Sequence, residues 1–240
     1  MTYRKRLVFL LVAALASFSP FAGAADMSLT PHTAAYKVKV KILSGELNTT
    51  LEQAETGFVA THKLNTTGMA RLLAKGEIEE TASFMVSADG VMPLLYSSQD
   101  SMTSKKTHAD VRFDIAHGEV VGSVDGEAFN MPFADLVHDR VSIQYQLMLD
   151  LQRGMLQDVY VLYDIDELKT LQVTNIGQQS VKTPAGTFEA VGIQHQTEGS
   201  SRVTTLWCVP ELGYIPAIIE QHRKGKLRMR ALLESYTPTL

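Results

Sequence analysis

Apolar and polar positions alternate along most of this chain with a period of two. In "AAYKVKVKI", Tyr36, Val38, Val40 and Ile42 fall on one side and Lys37, Lys39 and Lys41 on the other. This is the pattern of an antiparallel strand with one buried face. Ser44-Gly45 and Thr56-Gly57 punctuate the runs that follow, "ELNTTLEQA" and "FVATHKLNT", as hairpin turns of a meander. The alternation continues through "EIEETASFMVS", a turn at Ala88-Asp89-Gly90, "LLYSSQD", "HADVRFDIA", a turn at His117-Gly118, and "EVVGSV" leading into Asp125-Gly126. The second half returns to it in "VYVLYDI", "LKTLQVTNIG", "GTFEAVGIQHQTE", "RVTTLWCV", "YIPAIIEQH" and "KLRMRALLESY". So many short strands at this spacing predict a mainly β fold, a single curved antiparallel sheet or open barrel.

Two segments break the period. "GMARLLAKG", bracketed by glycines, predicts a short helical turn. "HDRVSIQYQLMLDLQRG" predicts the principal helix over residues 139–152. Asp139 is its N-cap, Val141, Tyr145, Met148 and Leu149 form an apolar stripe, and Gly154 is its stop. That stripe is expected to pack across one face or mouth of the sheet. No fixed-period repeat or Pro/Gly/Ser-rich linker divides the chain, so residues 130–155 read as an insertion between two β halves of a single domain, 25–240.

The N-terminus changes the picture of where this domain works. Arg4-Lys5-Arg6 precede the apolar run "LVFLLVAALASF", and "SPFAGA" follows with small residues at Ala22 and Ala24. This is the order of a secretory signal peptide cleaved after Ala24, and the apolar run is too short for a transmembrane anchor. The expected location is the periplasm, with no transmembrane segment in the mature chain. Cys208, the one cysteine, cannot form an intrachain disulfide, so the fold must rest on its core; in "TLWCV" it reads as a small buried hydrophobe. Loss of residues 1–24 removes three of 22 basic residues and none of the 26 acidic ones, taking the formal net charge from −4 to −7. Such a balance disfavours nucleic acid or an anionic membrane as the main partner.

Local signatures of catalysis are missing from the sequence. It contains no Gly-x-Ser-x-Gly elbow, no phosphate-binding glycine loop and no His-Glu-x-x-His. The seven histidines are scattered singly, so neither a metal nor another cofactor is expected. "YDIDE" reads as a strand end and solvated turn, and Arg228 with Arg230 as a solvated sheet face. A glycan hydrolase or lyase would need two carboxylates, or His195 with a carboxylate, brought together in a cleft.

Candidate ligand contacts come from amphipathic side chains. In "TTLWCVPELGYIPAIIEQH", Trp207 and Tyr214 each carry a polar tip on an apolar body, which suits a cavity wall, and Pro216 marks a strand edge, bulge or start. His195 shares a strand face with Ile193, and Tyr145 lies on the helix stripe. Trp207, Tyr214, His195 and Tyr145 are therefore the candidate ligand-binding residues.

Several of these stretches occur in a familiar order. "AAYKVKV", "ADGVMPLLYSSQ", "HDRVSIQYQL" with Asp139, Ser142 and Tyr145, "KTPAGTFEAVGI" and "LWCVPELGYIPAIIE" together resemble the bacterial envelope family called domain of unknown function 3108, over nearly the whole mature chain. The resemblance implies a periplasmic, mostly antiparallel β protein and transfers no catalytic residue. More loosely, the pattern is similar to the half-barrels of periplasmic lipoprotein carriers. The leading expectation is a non-enzymatic binding protein that holds an apolar or amphipathic small molecule in its curved sheet. The alternative is an envelope structural or protein-interaction module with a filled core.

Overall fold

The computed structural model describes residues 29–70, 75–103, 106–165 and 167–239. The predicted signal peptide and residues 71–74 of the predicted helical turn lie outside them.

Alternation becomes strands with one buried face. The first half gives β1 (His32–Val40), β2 (Leu43–Ala54), β3 (Gly57–Thr66), β4 (Glu77–Ser87), β5 (Gly90–Asp100), β6 (Thr107–Asp114), β7 (Glu119–Val124) and β8 (Glu127–Pro132). A two-residue bridge, β9 (Val137–His138), and the helix α1 (Ser142–Arg153) follow. The second half gives β10 (Val159–Asp164), β11 (Glu167–Thr183), β12 (Gly186–Thr197), β13 (Arg202–Val209), β14 (Ile215–Arg223) and β15 (Lys226–Pro238). All belong to one 15-stranded sheet, ordered from β8 down to β1, then from β15 down to β9. The first and last strands therefore pair in its middle, while β8 and β9 are its two edges. Every ladder is antiparallel except β9 with β10.

The sheet is not closed by hydrogen bonds into a barrel, but it curls strongly. In a flat sheet β8 and β10 would lie roughly 60 Å apart, at about 4.8 Å per strand. Instead Tyr163 of β10 stacks on Phe129 of β8 at 5.6 Å and meets Phe113 of β6 and Tyr96 of β5 edge-on, each at 6.2 Å. The inner face thus formed collects the apolar half of each alternating run, including Tyr36, Val38, Leu51, Ala60, Phe84 and Val111.

The helix is an interior wedge rather than a lid over one face. Val141, Tyr145, Met148 and Leu149 join the main core, while Ile143 and Leu147 pack with Leu171, Val173, Ile193 and Leu206 of the second half. A helix apolar on two sides must be enclosed, because either side left in water would expose large hydrophobic area. The inner space is accordingly filled with side chains: Tyr36, Tyr96, Tyr145 and Tyr163 are all fully buried.

Three local expectations shift. The β1–β2 turn is made by Lys41 and Ile42, not Ser44-Gly45, because Lys41 takes the left-handed φ of 55° and β2 begins at Leu43. Ile42 therefore leaves the apolar face and is 91% exposed. Regular helix starts at Ser142, although the capping hydrogen bonds come from Asp139 as expected. Tyr214 precedes its strand, held at φ 65° after a single 3-10 turn, Pro210–Leu212.

Candidate functional site

Placement of α1 decides what the inner face can do. The buried Asp139 carboxylate accepts the Val141 and Ser142 amide N–H groups, both at 2.8 Å, and the Ser142 hydroxyl at 2.7 Å. The Asp139 N–H donates back to Ser142 Oγ at 3.0 Å, completing a reciprocal box that satisfies the orphan donors of the first turn. Burial pushes the Asp139 carboxyl up to about 6, against the pull of these hydrogen bonds. Further along, Gln146 Oε1 accepts the Val91 N–H at 2.7 Å and its amide donates to Asp150, which also takes the Tyr160 hydroxyl at 2.6 Å. Gly90, at φ 128°, permits the first of these contacts: a Cβ there would come within 2.5 Å of Gln146 Oε1. Arg153 donates to the Ser87 and Ala88 carbonyls, pinning the last turn of α1 to the β4–β5 hairpin.

Beneath the helix a polar seam crosses the apolar face. Thr49, His62, Glu80 and Ser98 are direct cross-strand partners on β2, β3, β4 and β5. Glu80 Oε1 accepts the Tyr96 hydroxyl at 2.7 Å and pairs with Arg140 Nε at 3.2 Å. Tyr145 sits over the other end, its ring 6.2 Å from His62, 6.3 Å from His32 and 5.3 Å from Phe84. His32 Nδ1 lies 2.8 Å from the Thr30 carbonyl, so the proton sits on Nδ1 and Nε2 is left as an acceptor. His32 Nε2, Thr49 Oγ1, His62 Nε2 and the Tyr145 hydroxyl are buried without a hydrogen-bond partner. Each such group costs about 1–3 kcal/mol, and proteins commonly satisfy clusters of them with buried water. Desolvation depresses His62 to about 4, so the seam's imidazole is neutral at pH 7.

The four residues singled out in the sequence are not brought together. Tyr145 belongs to the seam. His195 lies on the same inner face but in the second half, opposite Val173 and Thr204, with burial lowering it to about 4. Trp207 is on the opposite strand face from Leu206, which packs against α1: its indole covers Gly192, where a Cβ would come within 2.6 Å of Cζ3, and packs against the main core cluster opposite Ile218. Tyr214, in its turn, touches both core clusters. Pro216 lies opposite Cys208 at a bulge, and burial pushes the Cys208 thiol up to about 12, an inert small hydrophobe. Asp164 and Glu167 of "YDIDE" both pair with Lys169 at the solvent. Among the described residues no group of three or more His, Cys, Asp or Glu side chains is placed to hold a metal.

Open space lies on the outer face of β3–β7. A groove of about 610 Å³ is lined by Val59, Leu95 and Val121, with Thr81, Ser83 and Ser97 supplying hydroxyls and Asp110 and Arg112 at one side. Val59, Ser83, Leu95, Arg112 and Val121 form one continuous row of cross-strand partners. Leu95 is 54% exposed within it. Sequence reading missed this row because its members occupy the polar half of each alternating run, where a leucine passes as ordinary surface.

The pattern that defines the DUF3108 proteins of unknown function matches residues 32–230. The chain belongs to the DUF3108 family. No curated protein matches this DUF3108 sequence. Among solved structures it is similar to a β-barrel-like protein of domain of unknown function 1849 from Brucella abortus, at 12% identity and a TM-score of 0.61, covering 88% of this chain and 98% of that one. A Bacteroides fragilis protein with a YmcC-like fold aligns at 13% identity and a TM-score of 0.38, covering 87% and 96%. The Brucella likeness shows a shared fold. No helix among the described residues is long and apolar enough to cross a membrane.

Proposed function

We propose that this DUF3108 protein is an exported, non-enzymatic binding protein of the periplasm that holds an apolar or amphipathic ligand. The groove on the outer face of β3–β7, rather than the filled space under α1, is the binding surface. The observation that carries this reading is a groove of about 610 Å³ walled by Val59, Leu95 and Val121 and edged by hydroxyls. Its volume falls in the range of roughly 300–1,000 Å³ typical of small-ligand sites, and apolar walls with few polar groups suit an acyl or similarly greasy molecule. The signal-like N-terminus supports the compartment. Solvent extraction of protein purified from the periplasm, followed by mass spectrometry, tests the reading against Leu95→Arg. A molecule that copurifies with the wild type and not with the variant supports it; no copurifying molecule, or the same one on both, refutes it.

The filled, tyrosine-rich interior favours a second reading, an envelope interaction module acting through its outer surface. In-cell crosslinking that recovers one stoichiometric protein partner through the β3–β7 face, with no extractable molecule, would favour this module over the ligand carrier.

A further inference from the structure

At one end of the sheet, two neighbouring hairpin tips combine exposed apolar side chains with unneutralised cations. The β1–β2 tip carries Lys41 and the 91% exposed Ile42; the β14–β15 tip carries Lys224, with Leu227 beside it 48% exposed. Register brings the tips together, since β1 and β15 pair with Val40 opposite Met229. Both tips hold a lysine in the left-handed region, Lys41 at φ 55° and Lys224 at φ 51°, where glycine or asparagine would be less strained. Across β13, β14 and β15, Arg202 faces Arg223 and Arg223 faces Lys226, three like charges in direct cross-strand register. Like charges so placed are destabilising, so folding stability does not account for the arrangement.

Carboxylates at the same end are engaged elsewhere. Glu77 and Glu79 pair with Lys63, Asp164 and Glu167 with Lys169, and Asp125 accepts the His108 N–H. Glu220 is matched to Arg230, three residues along β14 from Arg223. Glu46, on β2 opposite Lys37, and Glu198, in the loop before Arg202, are the remaining acids near the tips among the described residues. The opposite end of the sheet carries Asp89, Asp135 and Glu211 in its loops, so the negative net charge of the chain conceals a cationic pole.

We propose that this pole is a docking surface for a bilayer containing anionic phospholipid, with Ile42 and Leu227 entering the interface and the Arg202–Arg223–Lys226 row contacting headgroups. Strands β2 to β13 span about 20 Å at this end, wide enough to engage several lipids at once. Apolar tips supply hydrophobic insertion, and surrounding lysines and arginines supply electrostatic attraction, the two components of interfacial binding. The net negative charge that argued against an anionic membrane is thus outweighed locally, because screening confines each charge's reach to about 10 Å in 0.1 M salt.

Flotation of the purified mature chain with vesicles tests this, using phosphatidylcholine alone and phosphatidylcholine with one-third phosphatidylglycerol. The expected result is flotation with the anionic vesicles only, abolished by high salt. Arg223→Glu/Lys226→Glu should lower the partition coefficient about a hundredfold or more, and Ile42→Asn severalfold. Relief of the like-charge row in Arg223→Ser/Lys226→Ser should leave the melting temperature unchanged or raised, which separates lost docking from lost folding. Equal flotation with neutral vesicles overturns the proposal, as does undiminished flotation of the charge variants. Displacement by millimolar glycerol phosphate would reassign the pole to a free anion and overturn it. So would absence of flotation with either vesicle, which would leave the cations to an acidic protein.

Discussion

Single side chains set the terms at several points of this fold, and Gly90 is the sharpest. Its φ of 128° is one that L side chains rarely adopt, and an added methyl would collide with the amide that docks α1 on Val91. Gly90→Ala should therefore cost about 2–3 kcal/mol, from backbone strain together with a lost buried hydrogen bond, read as a lower midpoint in urea. Tyr145→Phe should behave oppositely. It keeps the ring against Phe84, His32 and His62 and deletes a buried hydroxyl that has no hydrogen-bond partner, so stability should stay level or rise slightly. A loss above about 1.5 kcal/mol in the same urea titration would show that the hydroxyl is bridged. Of the seam, only fragments were legible in the sequence: His62 falls in phase with Phe58 and Ala60, marking one polar residue on an apolar face. That it meets Thr49 and Glu80 depends on register between strands, which no single run of residues encodes.

Elements behave as their caps and burial dictate. Helix α1 was readable because Asp139, the apolar stripe and Gly154 are local signals; that it is buried on two sides was not, since enclosure depends on how far the sheet curls. Asp139→Ala should cost about 1–2 kcal/mol by uncapping α1, visible as an early thermal transition, while Asp139→Asn should cost less by keeping an acceptor. Ionisation adds a pH dependence across several elements. Burial holds His62, His138 and His195 neutral down to about 4, whereas in the unfolded chain they bind protons near 6.5. Between those limits the unfolded state holds more protons, so stability falls as pH drops from about 6.5 towards 4. Asp139 works the other way: held protonated up to about 6, it binds its proton more readily when folded and gains stability on acidification below that value. His32 is lowered by burial in the same direction, so four histidines against one carboxyl leave a net loss, and melting temperature should decline from pH 7 to pH 5, less steeply in His62→Gln.

At the scale of the whole molecule, alternation was enough to announce a long antiparallel sheet, because each run of period two carries its own inside and outside. Which face would have room was hidden. Tyr36, Tyr96, Tyr145 and Tyr163 fill the concave side, so the space expected beneath the helix is closed, and the groove opens on the face where Leu95 and Val121 sit among polar neighbours. Trp207, attractive by composition, covers Gly192 and packs against the main core, away from the groove's lining. The pairing of β1 with β15, which puts both ends of the described chain at the sheet's centre, likewise had no local signal. Leu95 occupies the centre of the groove yet contributes little to the core, so a charge there should disturb binding without disturbing folding. Titration of an apolar fluorescent probe into the wild-type protein and Leu95→Arg, with melting temperatures taken on the same samples, addresses the binding surface directly. The outer-groove account predicts saturable binding by the wild type and at least a tenfold weaker affinity in Leu95→Arg at an unchanged melting temperature; equal affinity in the two proteins would contradict it.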